Sequence, residues 1–367
     1  MVLFKLNTKE DIYTGKNILI TGGTGSFGNK IVETLFKEFK PNKIIIFSRD
    51  EYKQYLMRQK FPEDSYKIRY FIGDIRDFER LKLAFKNIDI IFHAAALKHV
   101  PSIEYNPMEA IKTNIYGTDN VIKAAIENNV DRVIGISTDK CVSPANLYGS
   151  TKLCLEKIVI AGNIMSGNKT KCSVLRYGNV FASRGSVVPL FLKQKKEGLI
   201  KVTDSRMTRF TLTLDDAINF VLNSANSMVG GEIFVPKLPS YNILQLANVI
   251  GNNVEIKEIG IRPGEKIHES MIGDYESHLA IDCGSYYVIQ PNISINDNNN
   301  IFYNKYGKNI LGNNKNYNSN DNERIEDEEL YEILLQYILS EKLVVSIKKP
   351  KKKKKKRSNK TENSIIQ

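Results

Sequence analysis

Four cysteines in 367 residues, at positions 141, 154, 172 and 283, are too few and too scattered for a disulfide framework or a zinc site. Reduced, buried thiols are expected, and no histidine lies beside Cys141 to make it a nucleophile. Long hydrophobic runs are also missing: no stretch approaches the roughly 20 apolar residues of a membrane span. The segment from Met1 to Lys16 is mixed polar and charged, without the apolar centre of a secretory signal. A soluble, cytoplasmic protein without membrane contact is expected. A basic body is lacking too, although the formal charge is +12. Residues 348–367 hold ten basic and one acidic residue, a net of +9 that leaves only +3 for the other 347. That lysine run cannot bury apolar area and is expected to be a disordered tail, either a solvated extension or a polyanion-binding or nuclear-targeting one. Nucleic acid is a partner only through it.

What is present alternates between strand and helix. Asn17 to Ile20 reads as a short apolar strand and runs into T-G-G-T-G-S-F-G, Thr21 to Gly28. Gly22, Gly25 and Gly28 let the backbone approach a pyrophosphate, with Thr24, Ser26 and Phe27 lining the same turn and the next helix presenting its N-terminus. Ile31, Val32, Leu35, Phe36 and Phe39 form that helix's apolar stripe, and Pro41 ends it. A second strand, Lys43 to Phe47, carries Ser48, Arg49, Asp50 and Lys53 at its tip, where a bound adenosine ribose is read. Ser48 with Arg49 suits a 2′-phosphate and points to NADP, while Asp50 keeps NAD open. A third strand, Ile68 to Ile72, ends near Asp74 and Ile75, the acid placed to accept from an adenine amino group. A fourth, Asp89 to Phe92, ends in H-A-A-A-L-K-H, whose alanines, Ala94 among them, leave room for the cofactor's sugar, with Lys98 just beyond. His93 reads as a packed structural histidine. Asn114 opens a helix and can hold a water or a backbone carbonyl near the centre of the site.

That centre is S-T-D-K-C-V-S-P-A-N-L-Y-G-S-T-K, Ser137 to Lys152, between a strand at Arg132 to Ile136 and a helical pattern. Tyr148 and Lys152 lie one turn apart on one helix face, so the ammonium is expected to lower the pKa of the phenol and let it take a proton from a sugar hydroxyl. Asp139 and Lys140 add a carboxyl and a second amine, and Thr138 precedes them. A sixth strand, Ser173 to Tyr177, leads to Asn179 and Val180. From there the alternation weakens. Arg184 and Ser186 in R-G-S-V-V-P, Arg209 in M-T-R-F and Arg262 in I-R-P-G-E-K-I-H-E read as loop residues, the arginines suited to a diphosphate. Asn292 to Asn322 is asparagine-rich and reads as a long loop, and Glu328 to Ile338 resumes a helix.

The expected fold is α/β, a Rossmann-type doubly wound parallel sheet with a smaller mixed C-terminal domain. The expected division is 12–180 for an NADP-binding domain to which later segments return, 181–340 mainly for substrate, and 348–367 for the tail.

Taken together, T-G-G-T-G-S-F-G, H-A-A-A-L-K-H-V-P, S-T-D-K, N-L-Y-G-S-T-K, R-Y-G-N-V, R-G-S-V-V-P, M-T-R-F and R-P-G-E-K-I-H-E resemble the extended short-chain dehydrogenase/reductase superfamily. Within it, the chain is similar to the inverting UDP-N-acetylglucosamine 4,6-dehydratases. Lys140 after Thr138 and Asp139 carries that narrower likeness, because glucose-nucleotide dehydratases have glutamate there. The resemblance implies oxidation at C4 by Tyr148 and Lys152, removal of the C5 proton by Lys140, protonation of the leaving C6 hydroxyl by Asp139, and hydride return to C6. It implies substrate contacts from Lys98, Thr138, Tyr148, Asn179, Val180, Arg184, Ser186, Arg209 and Arg262. Cofactor contacts are implied from Gly22, Thr24 to Gly28, Ser48 to Asp50, Lys53, Asp74, Ile75, Ala94, Lys98, Asn114, Tyr148 and Lys152. A homo-oligomer is implied as well. Competing readings are a nucleotide-sugar 4-epimerase or retaining dehydratase within the same fold, and, from another class, a non-catalytic NADP-sensing polyanion-binding protein.

Overall fold

A computed structural model of the chain describes residues 2–62, 67–183, 185–251, 254–292, 299–313, 315–343, 345 and 347. The lysine-rich tail and Arg184 lie outside the described residues.

The architecture grows from one sheet. Strands β1 (Asn17–Thr21), β2 (Lys43–Ser48), β3 (Ile68–Ile72), β4 (Ile90–His93), β5 (Arg132–Thr138) and β6 (Lys171–Tyr177) pair in parallel in the order β3-β2-β1-β4-β5-β6. Most of these strands are apolar at successive positions because helices cover both faces of the sheet. Three later strands extend the same sheet past β6: Ile233–Pro236 joins β6 in parallel, followed by Tyr286–Ile289 and Ala280–Asp282, both antiparallel to their neighbours. The order reverses between β1 and β4, which opens a crevice at the carboxyl ends of the strands. The fold class is the one expected.

A second core lies beyond the sheet. Phe191, Leu246, Leu330 and Leu334 pack together where the helices Val187–Lys196, Ile243–Gly251 and Asp327–Ser340 surround the paired strands Leu199–Val202 and Glu255–Glu258. A three-stranded sheet of Ser240–Asn242, Thr208–Leu212 and Asn179–Val180 carries the chain between the two cores. Among the described residues, no helix is long and apolar enough to cross a membrane.

Several sequence expectations need correction. The asparagine-rich stretch is not one long loop: it contains the helix Asn299–Tyr306 and the short strand Tyr317–Asn318, while residues 293–298 and 314 lie outside the described residues. Aromatic anchors outweigh its composition. The Tyr306 hydroxyl donates to Glu232 at 2.8 Å, and Tyr317 packs against Phe210 and Tyr287. Arg209 lies within a strand rather than on a loop. Cys154 is exposed on the outer face of its helix, whereas Cys141 and Cys172 are buried. β5 continues to Thr138, so the S-T-D-K motif begins inside the sheet, and its Asp139–Cys141 portion is a single 3-10 turn. Asn114 sits in a π-helical stretch, Ile111–Tyr116, that runs into the helix Gly117–Glu127.

Candidate active site

The glycine turn joins β1 to α1 (Ser26–Glu38) and forms one end of a cleft of about 410 Å³. Gly22 has φ +66°, and a Cβ there would lie 2.9 Å from the backbone of Ala95. A Cβ on Gly28 would run into the carbonyl of Gly23. Both positions therefore require glycine, one for the turn and one for close packing of helix on strand. α1 starts after Gly25 without a side-chain cap, so its first N–H groups are available to an anion.

Gly22, Thr24, Gly25, Ser26, Ser48, Arg49, Asp50, Lys53, Asp74, Ile75 and Lys98 all line this cleft. Phe27 packs partly buried on the main core, and Ala94 stands against Gly22. Ser48 is already engaged, because its hydroxyl accepts from Gln54 at 3.0 Å. Asp50 caps the following helix by accepting from the Lys53 N–H at 2.9 Å. Asp74 binds Arg76 through two nitrogens, with Arg49 3.6 Å away. Burial raises the pKa of Asp74, and the contacts to Arg76 outweigh it, leaving the carboxyl below its usual range. His93 is fully buried between Thr21 and Thr118, as a structural histidine would be.

At the ends of β5 and β6 the central residues converge. Lys140 Nζ lies 2.9 Å from Asp139 Oδ1, 3.2 Å from Asn179 Oδ1 and 3.6 Å from Glu269 Oε1. Burial alone would lower its pKa, and the two carboxylates more than reverse that, so Lys140 is a firm cation here. Asp139 is fully buried; Oδ1 accepts from Thr138 at 3.0 Å, and Oδ2 has no hydrogen-bond partner. Lys98 approaches from the loop after β4, and its pKa is lowered by burial and then by Lys140. Asn114 accepts from the Leu97 N–H at 2.8 Å and donates to its carbonyl at 2.9 Å, which fixes that loop.

Tyr148 and Lys152 do share a face of the helix Leu147–Met165, but not as expected. Lys152 donates to the Ile136 carbonyl at 2.8 Å, and burial pulls its pKa down to about 8. The phenol is pushed up to about 12 by burial, against the lowering influence of Lys140 and Thr138. The cation that lowers the phenol is thus Lys140, not the lysine one turn along its own helix.

Glu156, one further turn along, was not singled out from the sequence. Its Oε1 accepts from Ser137 at 2.6 Å and from Cys141 at 2.9 Å, the two residues that bracket Thr138, Asp139 and Lys140. Arg176, fully buried, pairs with Glu156 at 2.6 Å and with Glu276 at 2.6 Å. The Asp139–Cys141 turn is therefore tied to the helix that carries Tyr148. Its only sequence signal is the spacing of Tyr148, Lys152 and Glu156 at successive fours.

The remaining expected residues are placed unevenly. Asn179 reaches Lys140, Val180 adjoins it in the same short strand, and the Ser186 hydroxyl is buried without a hydrogen-bond partner. Arg209 spends its guanidinium on the carbonyls of Thr208, Lys266 and Ile267, which leaves little for a diphosphate. Arg262 is exposed, with Glu265 3.9 Å away. Glu269, at the end of a motif read for its arginine, is the other residue that sequence reasoning missed.

A glycine turn at a doubly wound switch point, with tyrosine and lysine on the helix that follows β5, defines an extended short-chain dehydrogenase/reductase. The chain belongs to the polysaccharide biosynthesis protein family, whose model matches residues 18–291. It is 53% identical over 289 residues, 78% of this chain and 86% of the relative, to "UDP-N-acetylglucosamine 4,6-dehydratase (inverting)" of Campylobacter jejuni subsp. jejuni serotype O:23/36 (strain 81-176). It is also 41% identical over 336 residues, 88% of this chain and 96% of the relative, to a protein of Rickettsia canadensis (strain McKiel) named UDP-glucose 4-epimerase. Among solved structures it is similar to Pen from Bacillus thuringiensis, with TM-score 0.81, 39% identity, and coverage of 90% of this chain and 99% of that one.

Proposed function

We propose that this protein is an inverting UDP-N-acetylglucosamine 4,6-dehydratase, a hydro-lyase that oxidises C4, eliminates water across C5 and C6, and reduces C6. The observation that carries this reading over a 4-epimerase is the Asp139–Lys140 pair at 2.9 Å beside Tyr148. Epimerisation at C4 needs neither an acid for C6 nor a base for C5.

The cleft residues fit a nicotinamide dinucleotide. A turn that any Cβ at Gly22 or Gly28 would block, an uncapped helix start, and the cationic and hydroxyl groups of Ser48, Arg49 and Lys53 at the far end form a cradle for a long anionic ligand. Thr24, Ser26, Asp74, Lys98 and Lys152 belong to the same proposed set. When bound, the dinucleotide supplies a reversible hydride acceptor. Arg49 is the reason to favour NADP over NAD.

Tyr148 gives up its own proton to solvent, a loss that the Lys140 ammonium favours, and as a phenolate takes the proton of the C4 hydroxyl. Ketone formation at C4 then makes the C5 proton acidic. Asp139 and Lys140 begin as carboxylate and ammonium, and passing one proton across their hydrogen bond yields the carboxylic acid and the amine. The amine removes the C5 proton, the released electron pair moves toward the C4 ketone, and the acid protonates the departing C6 oxygen as water leaves. The pair ends as ammonium and carboxylate again, and once C6 is reduced the enolate takes a solvent-exchangeable proton at C5 from the opposite face, which inverts that centre. We include self-association in the proposal, supported by Tyr105, 87% exposed, and Tyr116, 58% exposed, at the ends of the helical segments Val100–Tyr105 and Ile111–Tyr116; light scattering would test it.

Incubation with UDP-N-acetylglucosamine in heavy water, read by NMR, tests the function. A 4-keto-6-deoxy product with deuterium at C5 and inverted configuration supports it, and a 4-epimer alone refutes it. Lys140→Ala should slow elimination and C5 exchange by about 100-fold or more while C4 oxidation changes little.

A further inference from the structure

Glu269 is a second carboxylate on Lys140, supplied from far along the chain. Its side chain is 4% exposed, with Oε1 3.6 Å from Lys140 Nζ and 4.0 Å from Arg209 Nε. Oε2 lies 3.9 Å from Lys266 Nζ and has no hydrogen-bond partner. A buried carboxylate with unspent acceptor capacity is costly unless its surroundings compensate, and here they do so with cations rather than hydrogen bonds. Its backbone is fixed: the Glu269 N–H donates to the Ser319 hydroxyl at 3.0 Å, the Glu269 carbonyl accepts from the Ser319 N–H at 2.8 Å, and Ser319 is tied to Thr208 at 2.7 Å. The side chain is thus delivered to Lys140 by a braced segment.

We propose that Glu269 is a positioning residue for the elimination step: from the C-terminal half of the chain it holds the Lys140 amine beside Asp139 and Asn179 and retains the proton that Lys140 and Asp139 share. This deepens the dehydratase reading and rests on it. The groups that face Lys140 are Asp139 on its own turn, Glu269 and Arg209 from the C-terminal half, Lys98 from the loop after β4, Tyr148 from its helix and Tyr241 from the Ser240–Asn242 strand. Arg209 and Lys98 favour loss of the proton, and the two carboxylates hold it. Without Glu269, Asp139 alone opposes two cations, so the pair loses its proton at lower pH.

The test follows C5 deuterium incorporation from UDP-N-acetylglucosamine in heavy water, across neutral and alkaline pH, for the wild-type protein, Glu269→Gln and Glu269→Asp. In Glu269→Gln the alkaline limb should move down by about one pH unit or more, elimination should slow by about tenfold or more, and C4 oxidation in a single turnover should stay within about threefold. Glu269→Asp keeps the charge but draws it back by one methylene. Its limb should fall between the other two, and it gives the answer if the Gln variant does not fold. Limbs that coincide with that of the wild type overturn the proposal, whatever happens to overall rate or thermal stability. Absence of C5 deuterium in the wild-type protein overturns the dehydratase reading itself, which separates the two failures.

Discussion

Lys152 stands one helical turn beyond Tyr148, yet its ammonium serves the Ile136 carbonyl at 2.8 Å and so fastens the tyrosine helix to the end of β5. Burial brings its pKa to about 8, below the value an unfolded chain would give. Between about pH 8 and 10.5 the unfolded state binds more protons, so stability rises with pH through that window, by up to about 3 kcal/mol from this group. Lys152→Met should flatten the rise, read as urea midpoints at neutral and alkaline pH.

Tyr148→Phe is expected to lower turnover by about 1,000-fold or more, because no other phenol or base in the turn takes its place. Dinucleotide affinity, measured by calorimetry, should change little, since Tyr148 does not line the cleft proposed for the adenosine end.

Arg49 is half exposed and its contact with Asp74 is long, at 3.6 Å, so in the proposed reading its guanidinium can turn to a 2′-phosphate. Arg49→Ala should weaken NADP binding by about 10-fold to 100-fold, the worth of a charge-assisted contact, and leave NAD binding nearly unchanged. Equal losses for both dinucleotides would remove the basis for preferring NADP.

Arg176 neutralises two buried carboxylates at once, Glu156 and Glu276. Arg176→Met leaves both without their cation and should destabilise the fold by about 3–5 kcal/mol in denaturant titration. Arg176→Lys should recover only part of this, because an ammonium cannot make the paired contacts of a guanidinium.

The sequence alone determined the alternation of strand and helix, the glycine turn between β1 and α1, and the spacing that sets Tyr148 and Lys152 on one face. These are local properties: apolar runs, steric freedom at single residues and the period of a helix act over a few positions, so they can be read in order along the chain. Strand ends were less legible. β5 runs on to Thr138 because pairing with β6 continues there, and no residue in the motif announces it. The asparagine-rich segment misled for the same reason, since Tyr306 and Tyr317 find their partners at Glu232 and Leu238, far away in sequence.

Charge and its consequences belonged to the tertiary structure. Arg209 looked available for phosphate until folding set three carbonyls around it. Lys152 reads in the sequence as the group that acidifies Tyr148, whereas burial raises the phenol's pKa and the cation that opposes it is Lys140. Glu269 became part of the site only when the chain brought it within 3.6 Å of Lys140. A group's protonation depends on how deeply it is buried and which charges surround it, and both are set by contacts between residues that the sequence keeps far apart.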